Sequence, residues 1–206
     1  MNTATPATHN RSGQPQTDLA HPLDEFCRLA KRALPSIEPV EGAAMPEPYR
    51  SLLVHERDMT STLAQFHGSA IGLRVLHRHN AGDAYYREVL LLAKRSGRPV
   101  EYGAIKIHLG QFPGPARDAI TAAVAPLGQL LHDHGSGHLS RPAGFLQVEC
   151  DDHIGRLFGL ETRPALYGRR NTLYDATGKH RLADICLLYT SDAADDTPCV
   201  DLGGRR

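Results

Sequence analysis

The chain has 206 residues, enough for one well-cored domain, and its 23 Lys plus Arg are balanced by 23 Asp plus Glu. That balance leaves no global field to recruit nucleic acid or an acidic membrane. No apolar run approaches the roughly 20 residues that span a bilayer, and no charged segment followed by a hydrophobic one marks a secretory signal. The expected setting is the cytoplasm. Cys27, Cys150, Cys186 and Cys199 include no CxxC pair, so neither a zinc knuckle nor a disulfide framework is suggested.

Residues 1–21 are rich in Thr, Asn, Gln, Pro and Ser and cannot bury a core, so this segment is expected to be disordered. A folded domain is expected over 22–185. From Pro22 to Leu34 an apolar stripe (Leu23, Phe26, Leu29, Ala30, Ala33, Leu34) predicts a helix. Acidic residues open it, basic residues close it and Pro35 ends it. Ser36 to Pro48 reads as a proline-interrupted connector. Tyr49 to Phe66 reads as a helix or helix-turn-helix, with Asp58 or Thr60 able to cap a new turn. Ala70 to His77 alternates and predicts a strand. Asn80 to Asp83 turns it into a hairpin of Tyr85–Ala93 and Val100–Leu109 around Lys94-Arg95-Ser96-Gly97. Ala116 to Leu131 starts as a helix that Pro126 and Gly128 interrupt, with a break expected at Ala125. A Gly/His/Ser loop spans His132 to Pro142. Strands are expected at Phe145–Cys150, Ala165–Tyr174 and His180–Ile185, with Phe158–Leu160 in a short segment between the first two. Hairpin succession with few helices gives an α+β domain: an antiparallel sheet with helices packed on it.

The main chemical candidate is Arg87. Strand alternation puts it on one face with Val89, Leu91 and Ala93. A guanidinium on an apolar face needs an anionic partner or a route to water. Either it pairs with a carboxylate such as Glu101, or it lies near the exposed end of its strand, or it waits in a pocket for a ligand carboxylate. Arg169 and Arg170 are adjacent in a strand and point to opposite faces; either one faces the core side and the other solvent, or both are exposed. His132, His134 and His138 have a metal-like spacing, but no Cys or Glu completes a set, so a polar loop is favoured. His77 and His79 flank Arg78 at a strand end and read as solvated. No nucleophile elbow, dinucleotide fingerprint or phosphate loop is present, and no cofactor or metal is implied.

Four segments in order carry a family resemblance: LLVHERDMT at 52–60, YYREVLLL at 85–92, APLGQLL at 125–131, and LYGRRNTL at 166–173 followed by TGK at 177–179. Together they resemble chorismate lyase, which releases pyruvate from chorismate to leave 4-hydroxybenzoate for ubiquinone biosynthesis. The resemblance implies a chorismate lyase-like fold with a buried ligand site and a cofactor-independent carbon–oxygen lyase. Arg87 would bind the ring carboxylate as the catalytic anchor, and Met59, Leu127 and Arg169 would belong to the substrate site. The partner would be a small aromatic carboxylate, with no nucleic acid or membrane partner, and the protein a monomer. The family also uses a glutamate on its last strand, for which no residue here is matched.

Cys186 to Arg206 resembles translated sequencing adapter rather than native protein, so the domain is expected to stop at Ile185 and this chain to be inactive. The alternative function is a non-catalytic sensor of aromatic carboxylates with the same fold. A sensor usually carries an output domain, and residues 1–34 are too short for a helix-turn-helix reader, which favours the enzyme.

Overall fold

The computed structural model describes residues 16–135 and 137–190. Its frame is one seven-stranded sheet in the order β1-β5-β6-β7-β4-β3-β2, antiparallel throughout. The strands are β1 (Ile37–Val40), β2 (Ile71–Ala81), β3 (Ala84–Ala93), β4 (Pro99–His108), β5 (His138–Glu149), β6 (Ala165–Asp175) and β7 (Arg181–Tyr189). The helices are α1 (Gln16–Ala20), α2 (Leu23–Leu29), α3 (Tyr49–Leu53), α4 (Met59–Phe66), α5 (Gly114–Ala122), α6 (Leu127–Asp133) and α7 (Asp152–Phe158). The architecture is therefore the expected α+β one.

Both faces of the sheet are covered. On one, α1, α2 and α7 pack Leu19, Leu23, Phe26, Ile154 and Phe158 against Tyr86, Leu90, Tyr102 and Leu188. On the other, α3 and α4 bring Leu52, Leu53, Met59 and Leu63 onto Leu91, Val100 and Tyr189. Further along this second face, α5 and α6 bring Ile120, Leu127 and Leu131 onto Tyr85, Ile105 and Ile107. A sheet buried on both sides explains why β3 reads as an almost unbroken apolar run rather than a strict alternation.

Several expectations need correction. Residues 16–20 form α1, with Leu19 and Ala20 buried; residues 1–15 of the segment expected to be disordered lie outside the described residues. The helix expected to reach Leu34 ends at Leu29. Lys31 takes a left-handed conformation (φ 51°), and Arg32 then turns inward to the carboxylate of Glu88. The proline-rich connector holds β1, whose Pro39 is tolerated because β1 is an edge strand. Residues 138–142, read as loop, begin β5, and the proline there is absorbed at an irregularity between Pro142 and Gly144. The break between α5 and α6 falls at Ala123, left-handed at φ 55°, two residues before the expected point.

The largest correction concerns the end of the domain. β7 does not stop at Ile185 but continues to Tyr189, paired with both β4 and β6. Cys186, Leu187, Leu188, Tyr189 and Thr190 are all buried. The apolar run CLLY fits a strand covered on both faces, whatever its origin. The rest of the expected tail, residues 191–206, lies outside the described residues.

Candidate functional site

The second face of the sheet carries a cavity of about 70 Å³, open to solvent at its mouth. The floor comes from Arg87, Val89 and Leu91 of β3, Glu101, Ala104 and Ile105 of β4, and Ile185 and Leu187 of β7. Asn171 and Leu173 of β6 and Ser140 of β5 form one wall. The roof is the N-terminal ends of two helices: Asp58, Met59 and Thr60 at α4, and Pro126, Leu127 and Gly128 at α6.

Local sequence explains how these ends meet. Asp58 caps α4, its Oδ2 accepting from the Ser61 N–H at 2.8 Å. Pro126 sets the entry of α6, whose next turn must pass the same carboxylate. Gly128 permits this, because a Cβ there would collide with Asp58 and lie 2.9 Å from Thr60 Oγ1. An outer cleft beyond, lined by Ser61, Lys94, Gln129 and His132, shares Asp58, Thr60, Pro126 and Gly128 with the cavity.

Arg87 sits on the floor, 1% exposed, and its Nε and Nη1 have no hydrogen-bond partner. Burial lowers its pKa to about 10, so it remains a cation at neutral pH. Two of the three readings of Arg87 therefore fail. It is not at an exposed strand end, and it does not pair with Glu101, which stands opposite Leu91 while Arg87 stands opposite Ile105.

Glu101 is itself buried and its Oε2 has no partner. Burial raises its pKa to about 8; the charge of Arg169 opposes that shift and Asp58 reinforces it. At neutral pH this side chain is an acid, not a carboxylate. Glu101 stands opposite Leu91 and so shares the face of Arg87, with Tyr102 directed to the other face. Its position two residues beyond Pro99 in the second strand of the hairpin is the sequence signal for it.

Met59 and Leu127 line the cavity, one from each roof helix. Arg169 does not line it. Its Nη1 donates to the carbonyls of Leu53 at 3.0 Å and His55 at 2.8 Å, and its Nη2 to Ser140 Oγ at 3.2 Å. It ties β6 to the end of α3 and the segment that follows, and so holds up the wall. Arg170 is not free in solvent either: on the opposite face it donates to Asp184 Oδ1 at 3.2 Å. His132 belongs to α6 and His138 to β5, and the described residues contain no group of three or more His, Cys, Asp or Glu able to hold a metal. His77 and His79 are not merely solvated: His77 Nδ1 lies 2.6 Å from Glu88 Oε2, and His79 stacks on Tyr86.

The glutamate implied for the last strand has no counterpart in the cavity. β7 presents Ile185 and Leu187 there, while Asp184 faces the other side, where Arg170 and Thr172 bind it. That wall is apolar.

No protein-family model and no curated protein matches the chain. Solved structures do. PhnF from Mycobacterium smegmatis matches at 15% identity with a TM-score of 0.51, over 68% of this chain and 66% of that one. The effector domain of PhnF matches at 15% identity and a TM-score of 0.50, over 66% and 89%. The ligand-binding domain of a GntR-family transcriptional regulator from Bordetella bronchiseptica reaches 19% identity and a TM-score of 0.46, over 59% and 86%. The expectation of a carbon–oxygen lyase is corrected by the match to an effector domain. Among the described residues no helix is long and apolar enough to cross a membrane. At these identities the matches establish the fold alone, and that fold is the chorismate lyase-like antiparallel sheet with helices on it.

Proposed function

We propose that this chain is a non-catalytic binding domain for a small aromatic carboxylate, with Arg87 as the carboxylate anchor and Met59 and Leu127 closing over the ring. The observation that supports this most is the Arg87 guanidinium, buried and charged in an apolar cavity with Nε and Nη1 unpartnered. An unpaired buried charge is costly, and a ligand carboxylate removes that cost while making two parallel hydrogen bonds. Val89, Leu91, Ile105, Ile185 and Leu187 offer a planar ring an apolar bed. A sensor-type role is supported by the effector domain that shares the fold.

The test is a calorimetric comparison of 4-hydroxybenzoate with its primary amide, which keeps the shape and loses the charge. The acid should bind at least tenfold more tightly, since hydrogen bonds between charged groups contribute about 1.5–3 kcal/mol. Incubation with chorismate should release no pyruvate above the blank. Equal binding of acid and amide, or steady pyruvate release, would overturn the reading.

A further inference from the structure

Arg87 and Glu101 mark two ends of one cavity. On β4, Glu101 lies four residues from Ile105, the residue facing Arg87, which at about 3.3 Å per residue separates them by about 13 Å along the strands. Between them the floor is apolar: Val89 on β3 and Leu187 on β7, the latter leaning over Gly103, where a Cβ would come 2.9 Å from Leu187 Cδ2. At one end an unpartnered cation waits; at the other, an unpartnered carboxyl oxygen.

We infer that Glu101 is a second, specificity-determining anchor, donating a hydrogen bond to an uncharged oxygen acceptor at the end of the ligand remote from its carboxylate. The ligand class is then a monocarboxylate with an apolar ring and a distal carbonyl, ether or hydroxyl oxygen. This rests on the reading of Arg87 above. Such an acid spans about 7 Å between its terminal oxygens, and a hydrogen bond of about 2.8 Å at each end extends its reach to about 12–13 Å, of the same order as the backbone separation of the two residues.

The surroundings of Glu101 keep it a donor. Arg169 on β6 is committed to Leu53, His55 and Ser140 and forms no ion pair with it. Asp58, ahead of α4, adds negative charge; Tyr189 on β7 is hydrogen-bonded to His67 at 2.6 Å; the half-buried His55 is pushed toward its neutral form by burial and by Arg169. Arg87 lies at the far end. Burial then holds the Glu101 proton up to about pH 8, and a neutral carboxylic acid is a hydrogen-bond donor where a carboxylate is not.

The experiment compares 4-acetylbenzoate, whose distal oxygen only accepts, with 4-isopropylbenzoate, its apolar near-isostere, by calorimetry on the whole chain. At pH 6.5 the acetyl compound should bind about threefold to tenfold more tightly, the range expected for one hydrogen bond. That advantage should fade as pH rises through about 8, persist at all pH in Glu101→Gln, and vanish in Glu101→Leu, which removes an unsatisfied polar group and so retains the fold. If both acids bind equally to the parent chain, or if the preference survives in Glu101→Leu, the Glu101 anchor is overturned while Arg87 as carboxylate anchor stands. If neither acid binds, both fall together.

Discussion

Two buried glutamates show how partners decide charge. Glu88 accepts from Tyr102, from Arg32 Nη2 at 3.1 Å, and faces His77 Nδ1 at 2.6 Å. Burial pushes its carboxyl up, but these three partners outweigh burial and hold it below the usual range. Glu101, on the opposite face and without a partner at Oε2, is pushed up to about 8. The consequence for stability has a definite sign. Between the unfolded value near 4.5 and the folded value near 8, the unfolded chain releases the Glu101 proton while the folded chain keeps it, so stability falls as pH rises. Glu101→Gln removes this titration. Its stability advantage over the parent chain should open near pH 5, grow to the order of a few kcal/mol, and level off above about pH 8, as read by urea unfolding across pH. A gap of constant size from pH 5 to 9 would show that Glu101 is ionised in the fold. At this scale Arg87 was legible because alternation sets it among apolar neighbours. Glu88 was not singled out, because its three partners come from α2's end, β2 and β4, and no local pattern announces such convergence.

Elements were legible where the chain carries its own punctuation. The β3–β4 hairpin lies within a residue of its expected bounds, since Gly97 supplies the positive φ of its turn (73°). α4 starts where Asp58 can cap it, an interaction typically contributing about 1 kcal/mol. α7 was read only as a short segment around Phe158, although Asp151 caps it through the Ile154 N–H at 2.8 Å and Gly159 closes it. Its seven residues are too few for a clear period. β1 was hidden by its proline, and the end of β7 by composition that looks foreign. β7 sits between β6 and β4, and its last residues fill the core under α3 and α4. Ending the chain at Cys186 therefore removes Leu187, Leu188 and Tyr189 from a central strand. Each large buried side chain removed costs about 2–5 kcal/mol, against a total of about 5–15 kcal/mol for a domain. The shortened chain should lose its cooperative thermal transition by circular dichroism. A melting temperature within a few degrees of the parent would show that these residues are dispensable.

The whole molecule places its cavity where one sheet face meets two helix N-termini. The sheet order could not be read from hairpins alone, because β5 and β6 insert β7 beside β4, a pairing that spans nearly eighty residues and leaves no local mark. That pairing brings Ile185 and Leu187 under the same roof as Arg87 and makes the cavity wall apolar where a lyase-like carboxyl was expected. The architecture thus holds one buried, unpartnered cation on a largely apolar cavity floor, the feature on which the proposed carboxylate site rests.

The most direct measurement is the affinity of 4-hydroxybenzoate for the parent chain, Arg87→Lys and Arg87→Ala, by calorimetry at pH 7. Lysine keeps the charge but loses the two-pronged geometry, so it should bind several-fold more weakly, and alanine more weakly still, by about 1.5–3 kcal/mol relative to the parent. Equal affinity in all three proteins, each shown folded by its thermal transition, would contradict Arg87 as the carboxylate anchor.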